Sequence, residues 1–170
     1  MTGTLLVRPP PSRFAEGQVT HIERSEVSHA AALAQWKGYV DAYRARGWNV
    51  IEVELAEDCP DSVFIEDTVI MFGNVAVIAS LGHVSRVPEP VAVEKVLREQ
   101  LPNVTIKRIE APGTLDGGDV LKVGKDVYVG RGGRTNAAGI SQLRTIVSQH
   151  GYTLHPVPVS KALHLSEQQR

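Results

Sequence analysis

Acidic, glycine and arginine positions, rather than cysteine or histidine sets, hold the reactive chemistry of this sequence. Asp61-Ser-Val-Phe-Ile-Glu-Asp67 places the carboxylates of Asp61, Glu66 and Asp67 around a run that is otherwise apolar and strand-like. Carboxylates at the ends of buried strands are costly unless a cation or N–H donors meet them. A guanidinium supplies both, because its planar fork of N–H groups fits carboxylates bidentately. Charges at a hairpin mouth, or an ion pair with a local arginine, fit the same text. A second cluster, Leu115-Asp-Gly-Gly-Asp-Val120, sets two glycines between Asp116 and Asp119. Glycines there allow a backbone that other residues do not adopt. A plain Gly-Gly turn flanked by aspartates is the alternative.

Arg86 and Arg134 stand at matching distances behind two hairpin-like segments. Paired arginines suit a small carboxylate such as that of an amino acid, whereas singly each reads as a surface residue with a snorkelling stem. His164 lies between Leu163 and Leu165, where a structural histidine is a commoner reading than a catalytic one. His29, His83, His150 and His155 form no i, i+4 pair and there is no Cys/His set, so no metal site is expected. No cofactor is implied.

The elements that must position these groups follow from periodicity. Thr4 to Val7 is a short apolar strand stopped by prolines, and residues 11–27 are polar and irregular. From Ser28, Leu33, Trp36, Val40 and Tyr43 recur at helical spacing, with Ser28 as cap and Gly47 as terminator. Trp48 to Leu55 alternates as a strand. Ser62 to Leu81 reads as a hairpin broken at Gly73-Asn74, and 119–129 as a second one broken at Gly124-Lys125. Pro90 opens a helix carrying Val93, Val96 and Leu97, followed by a strand from Val104 to Ile109. A third helix spans 136–150 with Ile140, Leu143 and Val147 on one face. Thr153 to Val159, with its alternating prolines, suits a sheet edge.

The order hairpin, helix, strand therefore occurs twice, at 62–109 and 118–159, and the segment 28–55 resembles the end of a preceding module. This is an internal repeat of ββαβ units. Such units need neighbours to cover their apolar faces, so two complete modules and a partial one form an incomplete ring. Dimerisation, or association with a further part, is expected of it.

With 18 basic and 19 acidic residues the net charge is -1, which argues against nucleic-acid or anionic-membrane partners. No apolar run approaches the ~20 residues of a membrane span. The opening residues lack the basic and long apolar regions of a secretory signal, so a cytoplasmic protein is expected. Cys59 is the single cysteine, which leaves no internal disulfide.

Asp61-Ser-Val-Phe-Ile-Glu-Asp-Thr68, Ile109-Glu-Ala-Pro-Gly-Thr-Leu-Asp-Gly-Gly-Asp-Val120, Val129-Gly-Arg-Gly-Gly-Arg-Thr-Asn136 and Val157-Pro-Val with Leu163-His-Leu165 occur in that order. Together they resemble the motifs of the dimethylarginine dimethylaminohydrolases, members of a superfamily with arginine deiminases, agmatine deiminases and amidinotransferases. The resemblance implies a pentein-type α/β propeller of five ββαβ modules, of which residues 1–170 would form about three as a single partial domain. It implies hydrolysis of methylated arginine to citrulline through a covalent cysteine intermediate. His164 would be general acid and base. Asp116 and Asp67 would hold the guanidinium nitrogens, with Asp61 and Glu66 completing that shell and Phe64 lining the pocket. Arg86 and Arg134 would hold the substrate carboxylate, and a backbone carbonyl near Gln18 the α-amino group.

Two departures qualify these expectations. The family's nucleophilic cysteine lies in a later module, and Cys59 does not occupy its motif position. A thiol beside Asp58, Pro60 and Asp61 is also harder to ionise. The histidine motif normally continues with lysine and serine, whereas Leu165 here precedes Ser166-Glu-Gln-Gln-Arg170. Arginine or agmatine deimination, and a non-catalytic guanidinium-binding role, remain open.

Overall fold

The computed structural model describes residues 3–19, 26–159 and 164–165. They gather into two compact units, Met1–Ile65 and Glu66–Arg170.

In the first unit, β1 (Thr4–Val7) pairs in parallel with β2 (Asn49–Glu52), Leu5 opposite Val50. The intervening helix α1 (His29–Arg44) starts where Ser28 Oγ accepts the Ala31 amide at 3.3 Å. It turns out through Gly47, whose φ of 76° is the left-handed conformation that glycine adopts cheaply. Val40 is the fully buried member of the predicted stripe, while Leu33, Trp36 and Tyr43 are half-buried. β2 is shorter than the sequence predicts, ending at Glu52 rather than Leu55.

The segment from Ser62 to Thr68 departs from expectation. It is a chain of tight turns, with Ser62 N donating to Cys59 O, Phe64 N to Asp61 O and Ile65 N to Val63 O. The strand begins only at Val69. Apolar content here reflects burial in turns rather than pairing in a sheet, and the acidic residues punctuate it as turn formers.

The second unit holds two copies of one module. In the first, β3 (Val69–Phe72) and β4 (Val75–Ile78) form an antiparallel hairpin, helix α2 (Glu89–Gln100) crosses back, and β5 (Thr105–Arg108) pairs in parallel with β4. In the second, β6 (Val120–Val123), β7 (Asp126–Arg131), α3 (Ala137–Ser148) and β8 (Thr153–Pro158) repeat that order. Both hairpins turn on a glycine with positive φ, Gly73 at 62° and Gly124 at 60°. That is the residue a two-residue hairpin loop demands. β8 lies at a sheet edge, where its prolines forfeit no ladder bonds.

Ile70, Phe72, Val75 and Val77 join Val127, Val129, Ile140, Leu143 and Val147 in one continuous core. Asn136 ties the modules further. Its Oδ1 accepts the amides of Thr114 and Gly139, capping α3, while its Nδ2 donates to Pro112 O. Leu115 N bonds Ser80 O at 2.7 Å. The loop carrying Asp116 is thereby pinned to both modules. Among the described residues no helix is long and apolar enough to cross a membrane.

Candidate active site

Each module of the second unit opens on a single turn of 3-10 helix that ends in an aspartate. The turn Ile65–Asp67 precedes β3 and the turn Gly117–Asp119 precedes β6. Both aspartates are buried and both accept a backbone amide from further along the chain. Asp67 Oδ1 accepts Gly118 N at 2.8 Å, and Asp119 Oδ1 accepts Leu165 N at 3.2 Å. Asp67 and Asp119 thus hold matching places in the two modules and make matching contacts.

Asp116 is fully buried. Its Oδ1 accepts Gly82 N at 2.7 Å, and its own amide donates to Thr135 Oγ1 at 3.2 Å. Its Oδ2 has no hydrogen-bond donor among the described residues, with Arg134 Nη1 standing 3.7 Å away. Burial pushes the Asp116 carboxyl up; the Gly82 amide opposes this and the nearby charge of Asp67 adds to it.

His164 sits between two carboxylates, with Nδ1 3.5 Å from Asp119 Oδ1 and Nε2 3.8 Å from Asp67 Oδ1. Burial alone would lower its pKa. The carboxylate of Asp119 beside Nδ1, with the charges of Asp67 and Asp116, outweighs that, so the imidazole holds its proton more tightly than a free histidine. One donor atom each from Asp67, Asp116 and His164 lie within 4.8 Å of one another. That spacing would also admit a metal ion, which would have to displace the imidazole proton to bind there.

Arg86 is buried and heavily engaged. Its Nε and Nη2 each lie 2.9 Å from a Glu89 carboxylate oxygen, and Nη1 lies 2.7 Å from Asp67 Oδ2. Burial lowers the guanidinium's proton affinity, but Glu89 and Asp67 more than restore it, so Arg86 stays charged. Its fork braces Asp67 from one side and clasps Glu89 on the other. Arg134 is also buried, next to Asp116. Across the described residues of this unit the buried acids Asp67, Glu89, Glu94, Asp116 and Asp119 outnumber the buried guanidinium groups of Arg86 and Arg134. Such an excess favours a cation from outside.

The glycines between Asp116 and Asp119 serve proximity rather than unusual dihedrals. Neither has a positive φ. A Cβ on Gly117 would collide with the backbone carbonyl of Glu66, and one on Gly118 would lie 2.8 Å from Asp67 Oδ1 and 3.0 Å from the His164 ring. The expectation of a backbone closed to other residues is corrected accordingly: the constraint is steric, from what packs against the turn.

Of the other residues named from the sequence, Glu66 is exposed at the start of the second unit. The remaining three belong to the first unit. There Asp61 is buried and its two oxygens accept the amide of Gln18 at 3.0 and 3.2 Å, which fixes the loop bearing the Gln18 carbonyl. Gly17 allows this approach, since a Cβ would meet Asp61 Oδ1. Phe64 is 47% exposed, its ring centroid 6.3 Å from that of Phe14. Cys59 is buried. Leu163 lies outside the described residues. The sequence reading missed Glu89 and Thr135. Glu89 lies three residues after Arg86 and Thr135 directly follows Arg134, so both signals were present.

The arginine deiminase family model matches residues 40–164. Over 160 residues, 94% of this chain and 61% of the relative, the sequence is 53% identical to an N(G),N(G)-dimethylarginine dimethylaminohydrolase of Streptomyces coelicolor. Identity to a protein of the same name from Pseudomonas aeruginosa is 34% over 161 residues, 95% of this chain and 63% of that one. The chain thus spans about three fifths of the length of the curated relatives it matches. A solved structure of the Pseudomonas aeruginosa enzyme, a cysteine-to-serine mutant complexed with citrulline, superposes with a TM-score of 0.87 at 34% identity, covering 97% of this chain and 64% of that one. The N-terminal domain of ArgZ, a cyanobacterial arginine dihydrolase bound to product, shares the fold at a TM-score of 0.78 and 18% identity, over 92% of this chain and 57% of that one. These likenesses bear out the pentein-type α/β class and the resemblance carried by the four motifs. The chain belongs to the arginine deiminase family.

Proposed function

We propose that these residues form the guanidinium-binding and acid–base part of an enzyme that hydrolyses dimethylarginine or monomethylarginine to citrulline and dimethylamine or methylamine. The observation that carries this reading is Asp116 Oδ2, fully buried, without a hydrogen-bond donor among the described residues, and grouped with Asp67 and His164. A guanidinium N–H would satisfy it, and the positive charge would offset the buried acidic excess. Asp67 would take a second nitrogen, with Asp61 and Glu66 completing the acidic shell and Phe64 lining the approach. Arg86 and Arg134 would meet the substrate carboxylate. The Gln18 carbonyl would meet the α-amino group.

In the reaction, a thiolate attacks the guanidinium carbon. The bond to the methylated nitrogen breaks, and the departing amine takes the proton held on His164. Water then loses a proton to His164 and attacks the same carbon, the thiolate leaves, and citrulline remains. We assign the thiolate to a cysteine other than Cys59, whose buried place beside acidic residues disfavours ionisation. A single-cysteine chain without disulfides suits a cytoplasmic setting. Assembly as a homodimer, or with a further part of the same protein, would cover exposed apolar residues such as Val84, Val87 and Val91.

The test is citrulline release from asymmetric dimethylarginine, with arginine and agmatine in parallel and the mass of every peptide in the tube read alongside. Release that survives Cys59→Ser and requires a second, cysteine-bearing peptide supports the assignment. Preference for arginine or agmatine would move the chain to a deiminase role, and guanidinium binding without any turnover would leave it a binding module.

A further inference from the structure

We propose that Asp119 and Thr135 act together as positioning residues for His164, presenting its Nε2 edge to the group formed with Asp67 and Asp116. This rests on the reading of His164 as acid and base, but concerns residues to which that reading gives no role.

The geometry is a bracket with three arms. Asp119, nearly fully buried, spreads its two oxygens over different partners. Oδ1 faces His164 Nδ1 at 3.5 Å and accepts the amide of Leu165 at 3.2 Å, so one atom places its charge beside the ring and holds the backbone just beyond it. Oδ2 accepts the hydroxyl of Thr135 at 2.5 Å. The same Thr135 oxygen accepts the Asp116 amide at 3.2 Å. A single hydroxyl thus links the carboxylate behind the histidine to the backbone of an aspartate in front of it. Donating to Asp119 and accepting from Asp116 uses the hydroxyl in both directions, a combination that valine cannot make and serine can.

Two bare glycines complete the bracket. Gly118 lies against the His164 ring, where a Cβ would sit 3.0 Å from Cγ and Cδ2. A Cβ on Gly130, at the end of β7, would sit 2.9 Å from Asp119 Oδ1 and 3.1 Å from Leu165 Cβ. Neither glycine has a positive φ, so their absent side chains make room for the Asp119–His164–Leu165 contact.

The consequence is chemical. A carboxylate on the Nδ1 side favours the tautomer protonated there, leaving Nε2 as the nitrogen that gives and takes protons toward the substrate. The groups facing the ring are Asp119 on one side and Asp67 and Asp116 on the other. The two sides differ in their other partners: Asp119 is tied to Thr135 and Leu165, whereas Asp116 Oδ2 has no hydrogen-bond donor among the described residues.

The experiment is long-range proton–nitrogen NMR of the His164 imidazole across pH in the whole 170-residue chain, beside Asp119→Asn, Thr135→Val and Thr135→Ser. Nδ1–H is expected to dominate the neutral form of the unaltered chain. In Asp119→Asn that preference should be lost and the titration midpoint should fall. Thr135→Val should shift both in the same direction, and Thr135→Ser should restore them. An unchanged tautomer and midpoint in both Asp119→Asn and Thr135→Val, with amide spectra still those of the folded chain, would overturn the proposal. Should Asp119→Asn unfold, the Thr135 pair decides alone: valine and serine behaving alike overturns it. The readout needs no substrate, so it stands apart from whether citrulline is released.

Discussion

The amide of Gly118 donates to Asp67 Oδ1 at 2.8 Å, which makes the opening turn of one module the hydrogen-bond partner of the carboxylate that opens the module before it. On the other oxygen of Asp67 stands Arg86 at 2.7 Å. Asp67 is thus fixed from both sides, and its orientation depends on how closely Gly118 approaches. A methyl group on Gly118 would intrude on both Asp67 and His164. Gly118→Ala is expected to destabilise the chain by ~1–3 kcal/mol, the usual range for overpacking a tight site, measured by urea denaturation. A cost indistinguishable from zero would mean that the turn can relax.

Gly38 provides the opposite case. It lies inside α1 and a Cβ there would meet nothing within 4 Å. Gly38→Ala should raise stability by ~0.5–1 kcal/mol through lower unfolded-state entropy and better helix propensity. A loss of stability would contradict the assigned helix.

Glu89 is fully buried and clamps Arg86. Removing Glu89 strips the buried Arg86 of one of its two carboxylate partners and leaves Asp67 alone to offset it, so Glu89→Ala should cost ~3–5 kcal/mol. Arg98→Ala makes a useful comparison. Its pair with Glu94 is more than half exposed on the arginine side, and its loss should cost ~1 kcal/mol or less. Equal costs for the two substitutions would remove the special status of the Arg86 clamp.

Stability should fall as pH rises past neutrality. The folded-state pKa of His164 is raised, so folding favours the protonated form. Its stabilising contribution is complete below the unfolded value of 6.5 and is lost as pH rises through the higher folded value. Asp116, also raised, contributes with the same sign, beginning at its ordinary value of 3.8. Urea midpoints measured at several pH values above 6.5 should therefore decline, and the decline should be shallower in His164→Gln. Identical slopes in the two proteins would show that His164 is not the group responsible.

The helices and hairpins were legible because their signals are local. Ser28, Asn136, Gly73 and Gly124 mark ends and turns by their own chemistry, and Val93, Leu97, Ile140 and Leu143 fall on faces that periodicity alone defines. The turns before β3 were not legible, since Val63, Phe64 and Ile65 read as strand while the bonds that shape them run to carbonyls a few residues back. Within the site, the types of Asp67, Asp116 and His164 could be named, but their partners could not. Arg86 read as a group for substrate, whereas three of its N–H groups serve Glu89 and Asp67. Thr135 could not be singled out, because a hydroxyl's two bonds, here to residues 16 and 19 positions away, leave no mark on periodicity.

The most direct test of the account is titration of the 170-residue chain with asymmetric dimethylarginine, followed through the amide resonances of Gly82 and Gly118. These two N–H groups bind the carboxylates of Asp116 and Asp67, so each reports on one acid of the site. The account predicts that both resonances shift together and saturably, with the His164 imidazole, and that uncharged citrulline is bound more weakly. Shifts that leave both glycines untouched, or binding unaltered by Asp67→Asn and Asp116→Asn in folded protein, would contradict it.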